Sequence, residues 1–404
     1  MDYDDPERGT GLAARTREFV DEVVIPKERE LLGDRAPTPE ELAALREEAK
    51  ERGIYAPQVD EEYGGLGLDL RSALPVFEAA GRSLLGPPAL RVDAPDEGNI
   101  HTLEMVGTED QKERWLPPLV EGEISSAFAM TEPPAGGGSD PKMLKTTAEK
   151  DGDEWVIDGH KWWATNGGSA SVYLVMARTD MDEHPYSGTS IILVPRDADG
   201  LEVVRDIPHL GGGGMGLGHA ELKLDGVRVP AENLIGAENA GFVIAQQRLG
   251  PARLTHCMRF AGLAERALDI AFAYASEREA FGDRLSDKQS LRFELARRHT
   301  DLHAARTMVR HAAREIAAGN EARIEVAASK YFTANVVQES VDTAVQVCGG
   351  AGISKDLPLA DFYENVRQFR IFDGPDEVHL RSIAREFLQD PPTGELANLP
   401  RFGE

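Results

Sequence analysis

The spacing of apolar residues changes near Ser125 from helical to strand-like, and near Gly241 it changes back. That double switch constrains the fold more than any other feature of the chain. From residue 11 to about 122, apolar side chains recur at helical intervals, as at Leu12, Phe19, Val20, Val23 and Val24. Thr38-Pro39-Glu40-Glu41 carries a capping hydroxyl, a first-turn proline and a glutamate three residues on, and Thr108-Glu109-Asp110-Gln111 repeats the device with glutamine. Between them Tyr63-Gly64-Gly65-Leu66-Gly67-Leu68 predicts a loop. Short β-rich runs follow at 126–131, 146–149, 155–157, 172–177, 190–194, 201–204 and 219–229, with turns predicted at Asp151-Gly152-Asp153 and Asp225-Gly226. Strands with no helices between them predict an antiparallel barrel or sandwich. Leu295, Leu302, Val309 and Ile316 then repeat every seven residues, one apolar stripe on a long helix, and the alanine-rich stretch 322–347 predicts a second close-packed helix. The expected fold is α+β: an N-terminal helical domain (1–124), a middle β domain (125–237), a C-terminal helical bundle (238–390) and a tail (391–404).

Charge excludes some functions. Seventy acidic residues against 44 basic leave a net charge of -26, which argues against nucleic acid or an anionic membrane as the partner. A local arginine cluster would still serve an anionic small ligand. Cys257 and Cys348 are the only cysteines, too few for a disulfide framework or a cysteine zinc site. The ten histidines contain no H-x-x-x-H pair with a glutamate between, so no metal is expected. The N-terminus has no basic, apolar leader pattern, and no apolar run approaches the roughly 18 residues of a membrane helix. The chain reads as cytoplasmic.

Four stretches carry chemistry. Arg370-Ile371-Phe372-Asp373-Gly374-Pro375-Asp376-Glu377-Val378-His379 drives an apolar pair into a carboxylate and then breaks the backbone. The pair predicts a strand end, and Asp373 is either a turn cap or a base whose pKa burial would raise. Phe128-Ala129-Met130-Thr131-Glu132-Pro133 leads from a strand into the glycine-rich loop that ends at Ser139-Asp140, where backbone N–H groups can approach a flat ring or a phosphate; a surface turn is the plain alternative. Lys161-Trp162-Trp163-Ala164-Thr165-Asn166-Gly167 puts two indoles on opposite strand faces, one for the core and one for a planar ligand, unless both are core. Arg278-Glu279-Ala280-Phe281-Gly282, Gln289 and Gln346-Val347-Cys348-Gly349-Gly350 suit a pyrophosphate and a ring, or a capped surface helix. A formal GxGxxG at Gly211, Gly213 and Gly216 precedes a strand rather than opening a helix and is rejected as a dinucleotide site.

Taken in order, M-T-E-P, W-x-T-N-G, R-x-x-F-G, Q-x-x-G-G and a carboxylate followed by glycine resemble the acyl-CoA dehydrogenase family over nearly the whole chain. Gly250-Pro251-Ala252-Arg253, His256-Cys257-Met258-Arg259 and the segment from Asp373 to His379 resemble the branch whose human members fuse a kinase-like domain to the dehydrogenase; these 404 residues hold no such domain. The resemblance implies an FAD enzyme with a helical domain, a β domain and a C-terminal four-helix bundle. It implies that Thr131 and Thr165 hydrogen-bond the flavin ring, with Phe128, Met130 and Trp163 against it and Pro375 and Glu377 nearby. Ser139 would lie near the flavin or the CoA pyrophosphate. Arg278, Phe281, Gln289, Gln346, Gly349 and Gly350 would hold the adenine half, across a subunit interface. Ser139, Arg253 and Gly374 would contact the acyl-CoA. Asp373 would take the α-proton while the β-hydride passes to flavin N5, giving 2-enoyl-CoA in fatty acid metabolism. Electrons would go on to an electron-transferring flavoprotein. A homodimer or homotetramer is expected.

The chain departs from the family pattern. Most relatives have glutamate at the position of Asp373, and aspartate is about 1.5 Å shorter. Ala252 occupies the place where some relatives carry the base instead. The 134–139 loop is longer than usual, and Pro375 replaces a threonine. Asp373 also admits a flavin oxidase of the same fold, resembling nitroalkane oxidase. The kinase-fused branch further suggests acid–base elimination on a substituted acyl-CoA. A nucleic-acid-associated relative is disfavoured by the charge.

Overall fold

Both predicted capping boxes form: Thr38 and Thr108 each accept from the backbone three residues on, and Glu41 and Gln111 reach back to the cap N–H. The computed structural model describes residues 4–212, 218–389 and 398. Gly213 and Gly216 of the rejected glycine motif lie outside the described residues, as does the 391–404 tail apart from residue 398. The N-terminal helices are α1 (Glu7–Phe19), continuing through a π turn into α2 (Ile25–Leu31), then α3 (Pro39–Glu51), α4 (Leu70–Ala80), α5 (Gly86–Leu90), α6 (Asp96–Val106) and α7 (Glu109–Glu121).

The middle segment forms β1 (Ser126–Ala129), β2 (Thr147–Asp151), β3 (Glu154–Thr165), β4 (Val172–Arg178), β5 (Thr189–Pro195), β6 (Leu201–Asp206), β7 (His219–Pro230) and β8 (Leu234–Ile235). They make one sheet in the order β6-β7-β3-β2-β4-β5-β8, with β1 beside β4. The antiparallel expectation needs correction there. β1 runs parallel to β4, because the chain passes through the β2–β3 hairpin before returning alongside it. The turn predicted at Asp225-Gly226 is absent too. β7 runs through it, and Gly226, at φ 61°, is accommodated by a register shift against β3 while its N–H is taken by the Asp158 carboxylate.

The C-terminal helices are α8 (Gly241–Glu277), α9 (Gln289–Ala317), α10 (Arg323–Cys348), α11 (Gly350–Ile353), α12 (Leu359–Phe369) and α13 (Asp376–Gln389), with a small β9–β10 hairpin (Glu279–Ala280, Asp283–Arg284) after α8. Leu295, Leu302 and Val309 are buried, and Ile316 packs on the same core. β4 joins the two cores: Val172, Leu174 and Met176 face the helices, and Tyr173, Val175 and Ala177 face the sheet's own interior. No helix among the described residues is long and apolar enough to cross a membrane.

Candidate active site

The predicted strand at Ile371-Phe372 is instead the turn between α12 and α13. Gln368, near the end of α12, accepts from the N–H groups of both residues through its carbonyl, which continues the helical winding rather than extending the chain. Asp373 and Gly374 follow at φ 55° and 99°, two left-handed residues in a row. A β-carbon at Gly374 would lie 2.8 Å from His379 Nε2, so this glycine is required by space as well as by backbone angle. Phe369 and Phe372 pack with Phe260 and His256 beneath the turn, at ring distances of 4.7 Å for Phe260–Phe369 and 5.4 Å for His256–Phe372.

The Asp373 side chain is 18% exposed, with Oδ2 3.3 Å from His256 Nδ1. That nitrogen lies 2.7 Å from the carbonyl of Ala252 and donates there. Asp373 Oδ2 therefore has no hydrogen-bond partner. The Asp373 carbonyl accepts from Arg253 Nε at 2.9 Å and from His379 Nε2 at 3.2 Å. Burial alone would push the carboxyl up, as the sequence suggests. His256, Arg248, Arg253 and Lys330 outweigh it and hold Asp373 below the usual carboxylate range. Burial, helped by Arg259, brings His256 itself down to about 3, so at neutral pH the two arginines and Lys330 carry the effect.

Arg248, Arg253, His256 and Arg259 all lie on α8. The Arg248 guanidinium stands 4.5 Å from the Phe128 ring, and its Nε donates to Asn99 of α6 at 3.1 Å. Burial raises the Glu97 carboxyl against the pull of Arg259 and Arg248. Of this cluster, sequence reasoning gave a chemical role to Arg253 alone. Arg253-x-x-His256-x-x-Arg259 carried the signal, since spacings of three place residues on neighbouring helix faces. Lys330 left none in its local sequence.

The C-terminal ends of β1 and β3 form the other side. Trp162 N–H donates to Thr131 O at 3.0 Å, and Thr165 Oγ1 lies 3.0 Å from His219 Nδ1. The expected alternation of the two indoles does not hold. A register shift falls between Lys161 and Ala164, Trp163 sits at φ 55°, and neither indole enters the core. Trp163 stays 40% exposed, its ring 5.4 Å from His219 and 5.8 Å from His209. Thr131 thus adjoins Trp162 where β1 leaves the sheet, and Lys161 Nζ donates to the Met130 carbonyl. Trp163 and Thr165 share His219, and Phe128 touches Arg248, whose charge acts on Asp373. The open Trp163 face, with Thr165 hydrogen-bonded to the adjacent His219, is a surface suited to a flat ring.

The remaining expected site residues are elsewhere. Ser139 and Glu377 are exposed, and Pro375 immediately precedes α13, accepting from Val378 N–H at 2.9 Å. Arg278 lies about 37 Å from Arg253 along α8, at about 1.5 Å per residue. Arg278, Gln289, Gln346, Gly349 and Gly350 are exposed, and Phe281 is 97% exposed. The structure does not bring this set to Asp373.

Comparison with known proteins covers nearly all of the described chain. Residues 7–123 match the acyl-CoA dehydrogenase N-terminal domain, residues 127–227 the middle domain and residues 239–388 the C-terminal domain. The FadE2 protein of Mycobacterium tuberculosis is 41% identical over 392 residues, covering 96% of this chain and 90% of that protein. Acyl-CoA dehydrogenase family member 11 of Gallus gallus is 37% identical, covering 95% of this chain; the chain spans 51% of that protein's length. The solved structure of butyryl-CoA dehydrogenase from Megasphaera elsdenii superposes with a TM-score of 0.85 at 29% identity, covering 96% of this chain and 100% of that one.

Proposed function

The chain belongs to the acyl-CoA dehydrogenase family, and from that premise we propose that it carries out FAD-dependent α,β-dehydrogenation of acyl-CoA thioesters to 2-enoyl-CoA, with Asp373 as the α-proton base. The observation that carries this reading is the Asp373 carboxylate: half-buried, held ionised by surrounding cations, and with Oδ2 free of any hydrogen-bond partner. An ionised oxygen without a donor is poised to accept a proton.

Phe128, Met130, Thr131, Trp163 and Thr165 would hold the flavin ring. Arg278, Phe281, Gln289, Gln346, Gly349 and Gly350 would hold the adenine half contributed across to a second copy. Bound FAD would supply the hydride acceptor for the β-carbon. Arg253 and His379 fix the Asp373 carbonyl, and Gly374 lets the turn pass His379. Ser139 and the outer face of Arg253 would meet the CoA portion. An electron-transferring flavoprotein would reoxidise the enzyme, and the cytoplasm would be its compartment.

Anaerobic titration of the yellow protein with butyryl-, octanoyl- and palmitoyl-CoA tests the reaction class. Bleaching by at least one is expected, and none by any would sink the proposal. Asp373→Asn should keep flavin and lose its reduction by substrate; reduction at near the wild-type rate would remove Asp373 from the mechanism.

A further inference from the structure

The turn that presents Asp373 is held in part by its own atoms, with Asp376 N–H donating to the Arg370 carbonyl at 3.2 Å and Arg370 Nε to the Asp376 carboxylate at 2.7 Å. These bonds bracket the two left-handed residues rather than fix them. Two consecutive left-handed residues, one of them carrying a β-carbon, persist only where the surroundings impose them. Side chains from three helices do so. Lys330 of α10, 0% exposed, donates from Nζ to the carbonyl of Phe369 at 2.6 Å and to that of Gly374 at 2.8 Å. It thereby ties the last residue of α12 to the residue that follows the carboxylate. Arg253 and His379 meet at one atom, the Asp373 carbonyl; Lys330 spans the turn. Its hydrogen bonds among the described residues go to carbonyl oxygens rather than to a carboxylate. A buried ammonium is costly, and a methionine would fill the same volume without that cost. A methionine would, however, leave both carbonyls without this donor, so the role of the ammonium is to hold those two carbonyls to one point.

We infer that Lys330 is a positioning residue for the reaction: its ammonium sets the width of the 369–374 turn and so the reach of the short Asp373 side chain to the substrate α-carbon. This rests on Asp373 being the base. It accounts for how an acid about one methylene shorter than the family's usual glutamate is served, since the backbone is clamped in place by cations from α8 and α10.

The clamp has a pH dependence. Lys330 faces Asp373 of the turn, Asp376 and His379 of α13, and Cys257 and Arg253 of α8. Burial brings its ammonium down to about 8 against the pull of Asp373, Cys257 and Asp376. Nζ stands 4.9 Å from the Phe369 ring centroid, a contact that favours the charged form, and a neutral amine makes weaker bonds to both carbonyls. The sign separates clamp from fold. A lysine with a lowered value releases its proton first in the folded state, so stability rises as pH climbs from about 8 toward the ordinary 10.5. Loss of rate in that window is then not unfolding driven by Lys330.

The test is stopped-flow reduction of bound flavin by whichever of butyryl-, octanoyl- or palmitoyl-CoA bleaches wild type fastest. Wild type, Lys330→Met, Lys330→Arg and Asp373→Asn are compared across pH, with thermal midpoints alongside. The wild-type rate should fall above about pH 8 without a fall in midpoint. Lys330→Met should keep flavin, lose rate on the order of a hundredfold and lose the alkaline limb. Lys330→Arg should keep most of the rate and carry no limb there, because a guanidinium stays charged. Should the methionine variant not fold, the wild-type and arginine profiles decide alone, and the same limb in both overturns the inference. Near wild-type reduction in Lys330→Met, with Asp373→Asn inactive, overturns the clamp and leaves the base standing. Reduction retained in Asp373→Asn overturns both together.

Discussion

At the scale of single residues, the site depends on what a side chain is denied as much as on what it contacts. Asp373 Oδ2 is next to a histidine nitrogen whose hydrogen is already committed to Ala252. Gly374 is denied a β-carbon by His379. Gly374→Ala should therefore strain the turn twice, by backbone angle and by contact, at a cost on the order of 1–3 kcal/mol. A lower urea midpoint together with slower flavin reduction is expected; an unchanged midpoint and rate would show that the turn can relax around a methyl group. The requirement for glycine after the carboxylate was legible in the sequence as a backbone break. Its cause was not, because His379 reaches it by folding back from α13.

At the scale of elements, the connection from β1 to β2 is organised by one buried carboxylate. Glu132 accepts from Gly137 N–H at 2.9 Å, Lys145 and Thr146 N–H at 2.8 Å, Thr146 Oγ1 at 2.6 Å and Lys161 Nζ at 3.0 Å. This fixes the glycine-rich loop that follows Thr131, so that loop is latched from inside. Burial pushes the Glu132 carboxyl up, but Lys161, Thr146 and the Gly137 N–H outweigh it and hold it at about 2. A lowered carboxylate stabilises above its ordinary value of 4.5, and the contribution is lost as pH falls toward about 2. Glu132→Gln leaves Lys161 buried without its counter-charge and should cost about 3 kcal/mol. Urea midpoints against pH check this: the wild-type advantage over the variant should be full near neutrality and should shrink through that acid range. A constant gap would mean the carboxylate charge contributes nothing. The sequence marked the loop through its glycines, whereas the strand alternation expected at Trp162-Trp163 failed because a bulge reset the register there.

At the scale of the whole molecule, ion pairs bind the N-terminal helices to the bundle. Glu265 of α8 accepts from Arg17 of α1 at 2.8 Å and from Arg82 at 3.0 Å, and it also pairs with Arg306 of α9. The exposed set around Arg278 and Phe281 lies outside these contacts. A phenyl ring 97% exposed, at φ 57°, is an unusual thing to hold out into water. On the proposed function a second copy covers it and shares its flavin. Phe281→Ser should then lower the oligomer mass seen by sedimentation and speed flavin loss on dilution; an unchanged mass and unchanged retention would take this hairpin out of the interface.

The sequence by itself determined the order of helix, sheet and bundle and the two capped helix starts at Thr38 and Thr108. Those follow from periodicity, caps and turn chemistry, which act between residues a few positions apart. It did not determine that Asp373 is ionised, that Lys330 spans its turn, or that α8 supplies the cations around it. Arg253 and Asp373 are 120 residues apart in the chain, yet a hydrogen bond joins them. Charge and burial act through space, and the packing of α8, α10 and α12 decides those distances.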